Sequence, residues 1–131
     1  MKKILKKILP SWIRAWLLKL WFSGPSFKKY KNLWVLEDGN SKISIPFLER
    51  YGLFAHGINQ RLNHMLKRYD LGDINDALIL DVGAHIGEFA LAASPYAKHI
   101  ICFEPDPSAR EALLTNVQDI ENIEVLSFAL S

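Results

Sequence analysis

Two carboxylates and a glycine-rich turn are the residues in this sequence whose types and spacing could do chemistry. Asp81 ends an apolar run, and the turn Gly83-Ala84-His85-Ile86-Gly87 follows it almost directly. Glu104 ends the next apolar run, 23 residues after Asp81. Glycines let a ligand lie close to the backbone, and an acid at the end of the neighbouring strand can accept hydrogen bonds from both ribose hydroxyls. The spacing therefore predicts a site for an adenosine whose ribose is unphosphorylated.

The elements that must position these residues form a βαβ unit. The apolar runs at residues 77–80 and 99–103 predict two strands, and a helical pattern lies between them. Such near-continuous apolar strands predict a parallel sheet that is covered on both faces. A helix over residues 108–118 and a third strand over residues 123–128 follow. The predicted fold class is α/β, with a doubly wound sheet that reaches its third parallel strand.

The turn also distinguishes between nucleotide cofactors. A dinucleotide site needs G-x-G-x-x-G, in which the middle glycine lets the pyrophosphate approach. Here His85 occupies the middle position, and Asp81 before the turn suits a cationic ligand better than a pyrophosphate. An amino group, a sulfonium and an adenosine fit these charges, so we expect S-adenosylmethionine. A nicotinamide-dependent oxidoreductase is the alternative enzyme.

The same residues resemble a known family. The segments Asp81–Phe89 and Phe103–Pro107, together with Asn116-Val117 and Ala129-Leu130-Ser131, are similar to the FkbM-type S-adenosylmethionine-dependent methyltransferases. The resemblance covers roughly residues 51–131. It implies a class I Rossmann-like fold and metal-free methyl transfer to a hydroxyl of a sugar or natural product. The expected cofactor-binding residues are Asp81, Gly83, Ala84, His85, Gly87, Glu104, Pro105 and Asp106, and no catalytic base is assigned.

Several of these residues also have a purely structural interpretation. Asp81 could simply cap the turn, and Asp106 could either approach the adenine or begin the next helix. The helix dipole explains Glu88 as well as a ligand contact does, and His85 is expected to be a turn residue rather than a base. A side chain at Gly83 or Gly87 is expected to occupy ligand space.

The amino end is strongly basic. Residues 1–36 carry nine Lys or Arg and no acid, whereas residues 37–131 have a net charge of −7. Residues 1–23 predict an amphipathic helix, interrupted at Pro10, with Lys3, Lys7 and Arg14 on one side. Its apolar runs are too short for a membrane span, and it does not fit a signal peptide. It could lie on an anionic membrane surface or pack on protein.

The remaining pattern divides the chain into three parts. Residues 24–50 predict a linker and a β-hairpin that turns at Asp38-Gly39, and residues 51–131 begin with a helix from about residue 54 to 69.

The lone Cys102 is expected to be a buried hydrophobe and favours a reducing cytoplasm. Because a sheet of three strands lacks the later loops that bind an acceptor, we expect the amino-terminal part of an enzyme, inactive alone. No nucleic-acid partner is expected, and a non-enzymatic membrane-associated module is a third hypothesis.

Overall fold

The computed structural model describes residues 8–128 of the chain, which divides into two compact units, Met1–Gln60 and Arg61–Ser131. Lys3 and Lys7 of the predicted amino-terminal helix lie outside the described residues, as does the segment Ala129-Leu130-Ser131.

A helix precedes the strands in the described part of the first unit. Helix α1, Ser11–Phe22, begins directly after Pro10, which confirms the predicted interruption. It ends at Ser23, whose left-handed backbone (φ 51°) stops the helix. Within residues 8–128, no helix is both long enough and apolar enough to cross a membrane.

A three-stranded antiparallel sheet follows in the same unit, in the order β1-β2-β3. Its strands are β1, Ser26–Tyr30; β2, Leu33–Asp38; and β3, Ser41–Ile45. Strands β2 and β3 form the predicted hairpin, with Asp38 opposite Ser41 and Gly39 at φ 60°. Strand β1 was not predicted, because its sequence SFKKY is mostly polar and exposed and lacks the alternation of a half-buried strand.

The next helix is shorter than predicted. Leu48–Leu53 forms a 3-10 helix, and helix α2 covers Ile58–Arg68 rather than starting near residue 54. Gly57 explains the late start, because its φ of 115° is incompatible with a helix. The Ile58 amide donates instead to a carboxylate oxygen of Asp38 at 3.2 Å.

The second unit contains the predicted parallel sheet, with strand order β4-β5-β6. Its elements are β4, Leu78–Val82; α3, Glu88–Ala93; β5, His99–Phe103; α4, Pro107–Val117; and β6, Ile123–Leu126. Both strand pairs are parallel, with Asp81 opposite Cys102 and Cys102 opposite Val125. The α/β fold and the order of its elements are therefore confirmed.

One face of this sheet packs on the helices. Its core joins side chains of β5 to side chains of the two helices. The strand contributes Ile100 and Cys102, α3 contributes Ala90 and Ala93, and α4 contributes Leu113 and Val117. On the other face of β4, Leu78, Leu80 and Val82 are each more than half exposed. The prediction that both faces are covered was wrong for β4 within the described residues. The helices described here pack on the face that carries Ile79 and Ile100.

Candidate functional site

The turn after β4 is fixed to the end of β5. The backbone amides of Gly83 and Ala84 both donate to the carbonyl oxygen of Phe103, at 2.9 and 3.1 Å. Gly83, His85 and Gly87 all have positive φ, at 78°, 55° and 89°. Left-handed backbone at three alternate positions produces a tight corner, which the sequence predicted from the glycines alone.

Glu104 is the residue that joins this turn to the following loop. Its side chain is buried, with 6% of its surface exposed. Oε2 accepts the His85 amide at 2.7 Å, and Oε1 accepts the Asp106 amide at 2.8 Å. Each carboxylate oxygen can accept a second hydrogen bond, so the side chain retains acceptor capacity for a pair of hydroxyls. The structure thus gives Glu104 a structural role in addition to its predicted binding role.

Asp81 lies at the end of β4 and has an unbalanced charge. Its Oδ2 atom is buried and has no hydrogen-bond partner among the described residues. Burial, followed by the negative charge of Glu104, raises the pKa of Asp81 from 3.8 to about 6. Any cation that approaches such a buried carboxylate stabilises its charged form. The structure therefore does not support the interpretation that Asp81 is only a satisfied turn cap.

A cavity of about 310 Å³ opens beside Asp81. Apart from this carboxylate, its lining is formed by apolar and aromatic residues: Tyr69, Leu71, Ile79, Leu80, Val82 and Phe89. The rings of Tyr69 and Phe89 meet edge to face, with centroids 5.5 Å apart. An apolar cavity with one anionic group suits a ligand that carries both a positive charge and hydrocarbon.

The two glycines of the turn serve different purposes. A Cβ atom on Gly83 would meet no atom within 4 Å, so the space in front of it is open. A Cβ on Gly87 would lie 2.6 Å from Cδ1 of Leu113. Gly87 therefore lets helix α4 pack closely against the turn, and the predicted reason for this glycine, space for a ligand, is replaced by packing.

The other predicted residues lie around the same corner. Ala84 is buried, His85 is half-buried, and Pro105 and Asp106 are exposed. Asp106 accepts the Ala109 amide at 2.8 Å and is the N-cap of helix α4, which favours the helix-start interpretation. The amide of His85 is already bonded to Glu104.

Sequence reasoning missed two interactions that support the site. Arg61 of α2 donates to Glu88 Oε2 at 2.8 Å, and both side chains are largely buried. Arg110 donates to the carbonyl oxygens of Glu104 and Pro105, at 3.1 and 2.9 Å. Arg110 had a usable signal, because it follows Glu104 by six residues in the first turns of a predicted helix. The pairing of Arg61 with Glu88 spans 27 residues and leaves no local pattern.

Within residues 8–128, His, Cys, Asp and Glu side chains form no group of three or more that could hold a metal ion. Burial raises the pKa of the Cys102 thiol to about 12, with a smaller contribution from Asp81, so this thiol stays protonated.

Comparison with known proteins identifies the fold. No protein-family model and no curated protein match the chain. Among solved structures, TYW2 from M. jannaschii, determined in complex with AdoMet, is 15% identical over 77% of this chain and 45% of its own, with a TM-score of 0.54. Trm5b from Pyrococcus abyssi is 12% identical over 75% of this chain and 29% of its own, with a TM-score of 0.51. A candidate RNA methyltransferase from Pyrococcus horikoshii is 30% identical over 52% of this chain and 36% of its own, with a TM-score of 0.43.

The likenesses to TYW2 and Trm5b show that the chain has the Rossmann-like fold of the class I methyltransferases, as predicted. The chain spans less than half the length of each of these three proteins. Membership of the FkbM family stays a prediction from the sequence motifs.

Proposed function

We propose that this chain is the S-adenosylmethionine-binding part of a methyltransferase. The observation that carries the proposal is Asp81, which borders an otherwise apolar cavity and whose buried Oδ2 lacks a hydrogen-bond partner in the described chain. S-adenosylmethionine supplies an ammonium and a sulfonium, and either cation would compensate that carboxylate. The site residues fit this ligand, since the open space at Gly83 leaves the backbone accessible beside it.

The other residues take roles that follow from their positions. Glu104 would accept hydrogen bonds from the ribose hydroxyls through its remaining lone pairs while it holds the amides of His85 and Asp106. Ala84 and Pro105, next to these residues, would border the nucleoside. Asp106 caps helix α4 with one oxygen, and we propose that its exposed side chain borders the adenine.

The turn favours this ligand over a nicotinamide dinucleotide. A pyrophosphate requires close approach and free amide donors at the middle position of the turn. Here that position carries the His85 side chain, and the His85 amide is committed to Glu104 at 2.7 Å. The two carboxylates would also repel a pyrophosphate.

We further propose, from the sequence resemblance alone, that the whole enzyme methylates a hydroxyl of a sugar or natural product. The lone Cys102 is the basis for proposing a reducing cytoplasm as its location. The methyl group would pass from sulfur to the acceptor oxygen, the sulfonium would keep the electron pair of the broken bond, and a base would take the hydroxyl proton. No residue of this chain is assigned as that base. S-adenosylmethionine supplies the electrophilic methyl group when it is bound.

Isothermal titration calorimetry of the full chain tests the cofactor. We expect saturable binding of S-adenosylmethionine and S-adenosylhomocysteine, and weaker binding of both by Asp81→Asn and Glu104→Gln. The exposed Glu121→Gln is the matched control and should bind like the original chain. Binding of NAD but not S-adenosylmethionine would refute the proposal, as would equal affinities for all three variants.

A further inference from the structure

We infer that the outer face of helix α1 docks on an anionic membrane surface. Trp12, Trp16 and Leu20 recur at four-residue spacing on one side of the helix, and each is more than half exposed. Trp21, beside Leu20, is 84% exposed. We call Trp12, Trp16 and Leu20 the tryptophan face; Trp21 lies about 180° from Trp12 around the helix axis, on a different side. Exposing three indoles on one short helix is costly in water, and this arrangement is typical of a surface that binds something apolar.

The tryptophan face is not needed for the fold of the first unit. Helix α1 packs through its opposite side, where Ala15 is 1% exposed. Ala15 and Leu18 there border a cavity whose other wall is the 3-10 helix Leu48–Leu53. Helix α1 also contacts this 3-10 helix directly, so the outward side of α1 is the one available for a partner.

The charge of the surrounding sequence selects the partner. Residues 1–36 carry nine Lys or Arg and no acidic residue. On the helix, Lys19 lies about 20° from Trp12 around the axis, so a cation borders the tryptophan face. Phospholipid headgroups of an anionic leaflet would attract these cations by about 1 kcal/mol each. Tryptophan is also the residue that best occupies the headgroup layer, where the ring is in hydrocarbon and the N–H is hydrated.

The helix geometry fits a position in the plane of the membrane. Twelve residues make a helix about 18 Å long, too short to span the roughly 30 Å hydrocarbon core. With one face packed on protein and the other apolar, α1 would lie flat at the interface, with Trp12 and Trp16 inserted and Lys19 at headgroup level. This inference concerns the first unit only and does not depend on the proposed cofactor.

Vesicle flotation with the full chain tests the inference. We expect the chain to float with vesicles of phosphatidylcholine mixed with phosphatidylglycerol, to float much less with phosphatidylcholine alone, and to be released by high salt. Tryptophan fluorescence should shift to the blue and be quenched by lipids brominated on the acyl chains. Equal flotation with both vesicle types would overturn the inference, as would binding without quenching.

The variant Trp12→Gln/Trp16→Gln should reduce partitioning onto the mixed vesicles by about tenfold or more, because two buried indoles are lost. Its control is Tyr96→Gln/Leu114→Gln, which removes two similarly exposed apolar side chains, at 51 and 50% exposure, from the second unit. Analytical ultracentrifugation without lipid tests whether the tryptophan face instead binds a second copy of the chain. If the original chain dimerises, the tryptophan variant is monomeric and neither binds vesicles, the face binds a second copy and the inference is wrong.

Discussion

Replacing Asp81 with asparagine should stabilise the second unit at neutral pH while it weakens the binding of a cationic ligand. In the folded chain the pKa of Asp81 is about 6 instead of 3.8, so between these values the folded state binds more protons than the unfolded state. Stability therefore falls as pH rises through this window, and the full penalty is present above about pH 6.

The size of the effect follows from that difference. The change in pKa corresponds to at most ~3 kcal/mol of unfolding free energy, and partial exposure of the side chain reduces this to about 1–2 kcal/mol. Asparagine has nearly the same shape as aspartate and carries no charge. Asp81→Asn should therefore raise the free energy of unfolding by ~1–2 kcal/mol at pH 7 and by about half of that at pH 5.

The assay must report on the second unit. All four tryptophans, Trp12, Trp16, Trp21 and Trp34, belong to the first unit, so their fluorescence serves as an internal control. Native-state hydrogen exchange of peptides from β4 and β5, compared between variant and original chain at each pH, gives the stability of the second unit. A variant of equal or lower stability at pH 7, or a gain that is the same at both pH values, would refute this account of Asp81.

Three further substitutions and one pH dependence are expected to be informative. Gly87→Ala should destabilise the second unit by ~2–4 kcal/mol through a clash with helix α4. Gly83→Ala should cost only ~1 kcal/mol of stability and mainly weaken cofactor binding. Hydrogen exchange measures the loss of stability, and calorimetry measures the loss of affinity. Arg61→Met should cost ~3–5 kcal/mol in urea unfolding followed by circular dichroism, because the buried Glu88 loses its ion-pair partner, and Arg61→Met/Glu88→Gln should recover much of that loss. Affinity for S-adenosylmethionine should fall about tenfold between pH 7 and pH 5 in calorimetry as the carboxylate at the end of β4 becomes protonated, and a flat profile would contradict that contact.

The sequence predicted the second unit better than the first because its signals are local and strong. The apolar run before Asp81, the glycine turn and the run at residues 99–103 each predict an element on their own, and β5 was predicted with the bounds that it has. Strand β1 carries no such pattern. It is held by pairing with β2, in which Phe27 lies opposite Leu36, and pairing partners cannot be read from five residues.

The candidate site was predicted in position but not in its hydrogen bonds. Spacing placed Asp81 and Glu104 at the ends of neighbouring strands, where the structure has them. It could not show that both oxygens of Glu104 accept backbone amides, because those bonds depend on how two loops fold against each other. Nor could it show that Gly87 faces Leu113, a contact across 26 residues that only tertiary packing creates.

The double attachment of Glu104 has a consequence for how a ligand would be received. The Glu104 side chain links the corner after β4 to Asp106, the N-cap of α4, through hydrogen bonds of 2.7 and 2.8 Å, so neither loop can shift without straining the other. The shape of the proposed nucleoside site is consequently set during folding, so the two loops lose little conformational entropy when a ligand binds. A single substitution at Glu104 would therefore loosen the loops that carry His85 and Asp106 at the same time.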